Sequence, residues 1–130
     1  MPIDYWIERD RHRVRTEVRG DFSTEDILRV ISDVVAHPEF ERGCNILSDH
    51  RQIGEPITTA QLEEMTGHLR QLSAEFAGSR LAVVTTKPAS YGMIRMLSVM
   101  VEDMPLYVRV FDSMAPAEAW LESPGDGAGV

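Results

Sequence analysis

The spacing of apolar residues along this chain switches several times between two and about three and a half, and each switch marks an element boundary. Tyr5–Arg9 and Arg13–Gly20 read as strands joined by a tight turn near Asp10–His12. In the second, Val14, Thr16 and Val18 alternate with Arg13, Arg15, Glu17 and Arg19, the pattern of a strand with one wet face. Gly20 ends that strand. Ser23 can then cap a helix whose first turn holds Glu25 and Asp26, where the helix dipole favours acids. Ile27, Leu28, Ile31, Val34 and Val35 give this helix one core face, and Pro38 closes it near His37. Gly43–His50 is a short, mostly apolar run that turns polar at its end, so a buried strand stops near Asp49.

Thr58, with Gln61 three residues on, fits a capping box. The helix that follows carries Leu62, Met65, Leu69, Leu72 and Phe76 on one stripe and stops at Gly78. Arg80–Thr86 is β-branched and apolar, as a central parallel strand should be. Lys87–Ser90 leads into a helix from Tyr91 to Met104, which Pro105 ends. Leu106–Phe111 is a last strand, and Pro116 suits the first turn of a short last helix holding Trp120 and Leu121. The order is ββαβαβαβα: a mixed, mostly parallel five-stranded sheet with four helices and right-handed crossovers. Residues 1–122 read as one α/β domain. Residues 123–130, SPGDGAGV, read as a disordered tail.

The helix from Tyr91 to Met104 is apolar around most of its circumference. Met93, Met96, Met100 and Met104 make one stripe, Ile94, Leu97 and Val101 a second, and Arg95, Ser98 and Glu102 a narrow polar edge. A helix with more apolar surface than one core can use is buried on two sides or meets a partner. The methionine stripe therefore reads as core packing or as an interface, most simply a two-fold homodimer. A third reading is an apolar cavity beneath this helix that holds a lipid-like tail.

The formal charge is −8, which argues against nucleic acid and anionic membrane surfaces. No apolar run is long enough for a membrane span. The charged start, MPIDYWIERD, is not a signal peptide. The one cysteine, Cys44, excludes an internal disulfide, suits a reducing cytoplasm and reads as a small buried hydrophobe. His12, His37, His50 and His68 form no metal motif, and no metal or cofactor is expected. Asp49 and His50 are strand neighbours that point to opposite faces, which argues against a relay between them. No nucleophile elbow, Walker loop or dinucleotide fingerprint occurs.

Ligands of open parallel sheets lie beyond the carboxyl ends of the strands. Asp49, Arg51, Thr58, Thr59, Thr86, Lys87, Ser90 and Tyr91 arrive there, and two cations beside two helix N-termini could hold an anion. The plainer reading is that Thr58 and Ser90 cap their helices while Asp49 pairs with Arg51 or Lys87. An enzyme at this edge would need Asp49 as its base, with Lys87 or Arg51 holding an anionic substrate.

The layout, a strand ending NILSD, a Thr-capped helix, then RLAVVTT, YGMIRM and VRVFDSMAPAEAWL, resembles the SpoIIAA-like, STAS-type family over roughly Gly20–Leu121. The resemblance implies the fold shared by anti-sigma-factor antagonists and CRAL-TRIO lipid-binding domains. The antagonists are phosphorylated on a serine in an Asp-Ser-Ser-Gly motif. The matching place here, Ile57-Thr58-Thr59-Ala60, keeps two hydroxyls but lacks both the Asp and the Gly. The resemblance therefore implies fold better than function. These readings point to a non-enzymatic cytoplasmic binding or regulatory domain acting through a protein partner or itself. The alternatives are a carrier of a small lipid-like or anionic ligand and, behind that, an enzyme at the strand-end edge.

Overall fold

The computed structural model describes residues 2–124. Strand β1 (Ile3–Glu8) and strand β2 (Arg13–Gly20) flank a short 3-10 turn at Arg9–Arg11. There follow α1 (Thr24–Ala36), β3 (Asn45–Ile53), α2 (Thr59–Gln71), β4 (Arg80–Val84), α3 (Pro88–Met100), β5 (Tyr107–Phe111) and α4 (Met114–Glu122). The strands lie side by side in chain order, β1-β2-β3-β4-β5. β1 pairs antiparallel with β2, and every other pair is parallel. Each crossover from β2 onward advances to the next strand in the same direction. Right-handed crossovers of that kind drop every connecting helix onto one face. α1, α2 and α3 accordingly share a face, and α4, which follows the last strand, folds back onto the other. Because strand order never reverses, the sheet has no topological switch point and opens no crevice of the kind that such a point creates.

Strand alternation divides the core between the two faces. Val18, Leu81 and Val83 pack with Leu62, Leu69, Ile94, Leu97 and Val101 under α2 and α3. Leu47, Ala82, Val84 and Phe111 pack on the other side against Ala117, Trp120 and Leu121 of α4. Cys44 is buried beside Val14 and Val34, and burial pushes its thiol pKa up, so it is an inert packing residue. Gly43 has a φ of 76°, and a Cβ there would lie 2.9 Å from the Ala77 carbonyl oxygen, so both conformation and space require glycine.

The caps expected at Ser23 and Thr58 form. The Ser23 N–H donates to Asp26 Oδ2 at 2.8 Å and the Asp26 N–H to Ser23 Oγ at 3.1 Å. Thr58 and Gln61 make the same reciprocal pair at 3.0 and 3.1 Å. Thr58→Ala is expected to lower stability by about 1 kcal/mol, read as a shift of the urea midpoint, because it strands a backbone donor at the start of α2.

Three boundaries differ from the sequence reading. β3 continues four residues past Asp49, because Gln52 and Ile53 pair with Arg19 and Gly20 beyond an irregularity in β2. α2 stops at Gln71 rather than Gly78; the chain turns from Leu72 onward, yet Phe76 still reaches the core. α3 begins at Pro88, whose missing N–H costs nothing in a first turn, and ends at Met100. Ser90 therefore sits within the first helical turn and is no cap. At the other end, Ser123 lies against Arg80, and residues 125–130 of the proposed tail lie outside the described residues.

Candidate functional site

The face of the sheet beneath α1, α2 and α3 is not fully filled. A cavity of about 110 Å³ lies there, walled by Ile31, Met65, Leu69, Val83, Ile94 and Leu97 among other apolar side chains. Its polar lining comes from three residues on neighbouring strands: Thr16 of β2 and Ser48 and His50 of β3. Thr16 and Ser48 are opposed in the β2–β3 register, and their Oγ atoms lie 2.6 Å apart. Ser48 and His50, two apart on one strand, present side chains to the same face, with Ser48 Oγ 2.9 Å from His50 Nε2. The imidazole is 6% exposed. Its other nitrogen, Nδ1, has no hydrogen-bond partner among the described residues. Burial drives the pKa of His50 down to about 4 against the opposing charge of Asp49, so the ring is neutral near pH 7.

A serine beside a histidine invites a comparison with nucleophilic catalysis. The orienting group is missing, because Nδ1 meets no carboxylate and Asp49 belongs to the opposite face of the strand. What remains is a short hydrogen-bonded row of two hydroxyls and an imidazole, set in an apolar wall and unsatisfied at one end. Such a row can hold a polar atom; activating an oxygen would need more. In the sequence, His50 stands out only as a neighbour of Asp49 and as one of four histidines without a metal motif, and neither reading finds this row. The signal was there in the alternation that puts Ser48 and His50 on the same face as Ile46.

At the strand-end edge the polar groups are engaged with one another. Asp49 accepts from Arg51 Nε at 3.0 Å, Arg51 Nη2 at 2.9 Å and the Arg51 backbone N–H at 3.0 Å. Burial raises the Asp49 pKa, but these bonds outweigh it and hold the carboxyl below its ordinary value. A carboxylate so held is a poor base. Lys87 Nζ donates to the backbone carbonyl of Ile53 and, at 3.3 Å, to that of Gly54. Thr58 is occupied as a cap, Thr59 and Thr86 are exposed, Tyr91 is half-buried, and Ser90 Oγ is buried without a partner among the described residues.

The methionine stripe divides. Met104 lies beyond the end of α3, 8% exposed in the core, and is unavailable to a partner; the interface reading loses this residue because the helix stops four residues short of it. Met93 and Met100 are half-buried against the same core. Arg70 of α2 folds over this end, donating to Asp103 at 2.8 and 2.9 Å and to the Met100 carbonyl at 3.2 Å. Met96 stays 41% exposed, and beside it Val99, which the stripe did not include, is 61% exposed.

A search of solved structures matches this architecture to an uncharacterised protein of the DUF3478 family with a SpoIIAA-like fold from Shewanella loihica PV-4. The TM-score is 0.62 at 16% identity, over 92% of this chain and 93% of that one. The fold is SpoIIAA-like. At that identity the match speaks to the SpoIIAA-like architecture alone. No family model matches the chain, and no curated protein matches it in sequence. Among the described residues no helix is long and apolar enough to cross a membrane, and no three His, Cys, Asp or Glu side chains gather as a metal site.

Proposed function

We propose that this SpoIIAA-like domain is a non-enzymatic binding module that takes a small, mainly apolar molecule into the cavity beneath α1, α2 and α3. The observation that carries this reading is the incomplete polar row in the cavity wall: His50 is buried and its Nδ1 is left unpaired among the described residues, a cost that a bound polar atom would offset. Size limits the occupant. An engineered apolar cavity of about 150 Å³ holds benzene, so the present void of about 110 Å³ suits roughly four or five non-hydrogen atoms without movement of the helices. A lipid-like tail would need α1 or α2 to swing outward. Equilibration with xenon tests the reading. A saturable shift of bound xenon, with matching perturbation of Val83, Leu97 and Ile94 methyl resonances, is the expected result. Xenon that behaves as it does in buffer, with those methyls unmoved, would sink it.

A second reading, contact with a protein partner or a second copy through α3, rests on exposed Met96 and Val99 flanked by half-buried Met93 and Met100. Met96→Glu should leave stability within about 0.5 kcal/mol of the wild type while abolishing any association seen by light scattering. Met104→Glu, which buries a charge, should cost a few kcal/mol. Equal losses of stability from both changes would mean that Met96 too is core.

A further inference from the structure

The geometry points to a specific ligand class for this cavity: an uncharged small molecule carrying one hydroxyl, with carboxylates turned away. The inference rests on the binding reading above and adds to it the chemistry of selection. Among the described residues no lysine or arginine lines the cavity. Arg13 and Arg15 belong to the opposite face of β2, where buried Arg13 donates from Nε to Glu8 at 2.7 Å and lies 3.5 Å from Glu118 of α4. Lys87 is held by the carbonyls of Ile53 and Gly54, and Arg51 by Asp49. A carboxylate entering the cavity would lose its water and meet no cation, and an unpaired buried charge is costly. His50 offers no positive charge near neutral pH, since its ring is neutral there.

A hydroxyl fits for the complementary reason. Thr16 Oγ1, Ser48 Oγ and His50 Nε2 form a continuous row in which each oxygen can donate or accept. If the hydroxyls donate toward the ring, His50 Nδ1 carries the proton and donates outward. If the row runs the other way, Nδ1 is a bare acceptor. A ligand hydroxyl satisfies either state, because it is donor and acceptor at once. A purely apolar occupant leaves Nδ1 unpaired, as it is now.

Three probes of about equal size and different polarity decide the matter: 2-methylpropan-1-ol, 2-methylbutane and propionate, each titrated into the wild-type protein at neutral pH and followed by the Val83 and Leu97 methyl resonances and the His50 imidazole nitrogen resonances. The alcohol should bind about fivefold more tightly than the hydrocarbon. It should also move the His50 Nδ1 resonance, which the hydrocarbon leaves in place, and propionate should produce no saturable shift. His50→Leu should erase the advantage of the alcohol while the hydrocarbon still binds. Should that variant fail to fold, the wild-type Nδ1 resonance carries the decision alone. Propionate binding as well as the alcohol, or alcohol and hydrocarbon binding equally with Nδ1 unmoved, overturns the selectivity. Xenon and the hydrocarbon binding under those conditions would leave the cavity reading standing. Failure of xenon and of all three probes would remove both.

Discussion

Between pH 7 and pH 5 the folded protein is expected to lose about 2 kcal/mol of stability through His50 alone. Burial places the folded-state pKa of this imidazole at about 4, against an ordinary value of 6.5. Between these two values the unfolded chain binds the proton and the folded chain does not, so stability rises with pH across that window. The contribution is complete above pH 6.5. It falls as the pH drops toward 4, and below 4, where both states are protonated, the total loss levels off near about 3 kcal/mol. The carboxyls held below their ordinary values, Asp26, Asp49 and Asp103, carry the same sign, but their window begins only under about pH 4 and leaves the range from 7 to 5 clear. Urea unfolding at a series of pH values checks this, with His50→Gln as the comparison. Gln can keep a bond to Ser48 but cannot titrate, so its stability should be flatter from pH 7 to 5 whatever its absolute value. Identical slopes for the two proteins would mean that the imidazole protonates freely in the folded state and is not sealed in the cavity wall.

The element order, the Ser23 cap and the Thr58–Gln61 capping box were legible because they depend on residues close together in sequence, while the reciprocal bond from Asp26 that makes the first cap a box was not drawn. Ser23 with Asp26, and Thr58 with Gln61, close within one helical turn, and the alternation of β2 needs no knowledge of its neighbours. The end of β3 was not legible, because Gln52 and Ile53 are polar or isolated on their own and become strand only by pairing with Arg19 and Gly20. Met104 was misplaced on the stripe for a related reason: helical spacing continues in the sequence through Glu102, but the chain leaves the helix at Val101 and drops Met104 inward. At the strand-end edge the residues were legible and their pairing was only partly so. Its hydrogen bonds close between Asp49 and Arg51, and between Lys87 and the carbonyls of Ile53 at the end of β3 and Gly54 beyond it. A cavity beneath α3 was one of the sequence readings, but its extent and lining were not legible, since it is a shortfall in packing among seven elements, β1 to β4 and α1 to α3. Its polar row could have been found, because Ser48 and His50 follow strand periodicity and Thr16 lies on the wet-versus-buried alternation already drawn for β2.

Arg80→Met is expected to cost about 3 kcal/mol and to loosen α4 from the sheet. Arg80 opens β4, and its buried Nη1 donates to the Trp120 carbonyl at 2.6 Å, the Ser123 carbonyl at 2.8 Å and Ser123 Oγ at 2.9 Å. Those carbonyls stand at the C-terminal end of α4, where the helix leaves acceptors unpaired and the dipole favours a cation. The guanidinium also lies 5.7 Å from the centre of the Trp120 ring. Asn45 completes the latch, accepting the Arg80 backbone N–H at 3.0 Å and donating to the Leu121 carbonyl at 3.1 Å. Among the described residues α4 is the helix not held by a crossover between two strands, so its position on the second face depends on side-chain packing, on this pair and on the ion pairs of Glu118 with Arg13 and Glu122 with Arg11, each 3.5 Å. Methionine keeps the apolar stem and removes the donors, which separates the latch from the loss of volume. The measurement is the urea midpoint together with tryptophan emission in a Trp6→Phe background, since Trp6 is 45% exposed and Trp120 only 5%. A lowered midpoint with a red-shifted native emission is the expected pair of results. A midpoint within a few tenths of a kcal/mol of the parent, with emission unchanged, would show that the apolar packing of Phe111, Ala117 and Leu121 and the pairs of Glu118 and Glu122 hold α4 without it, and that Arg80 is a passenger at the helix end.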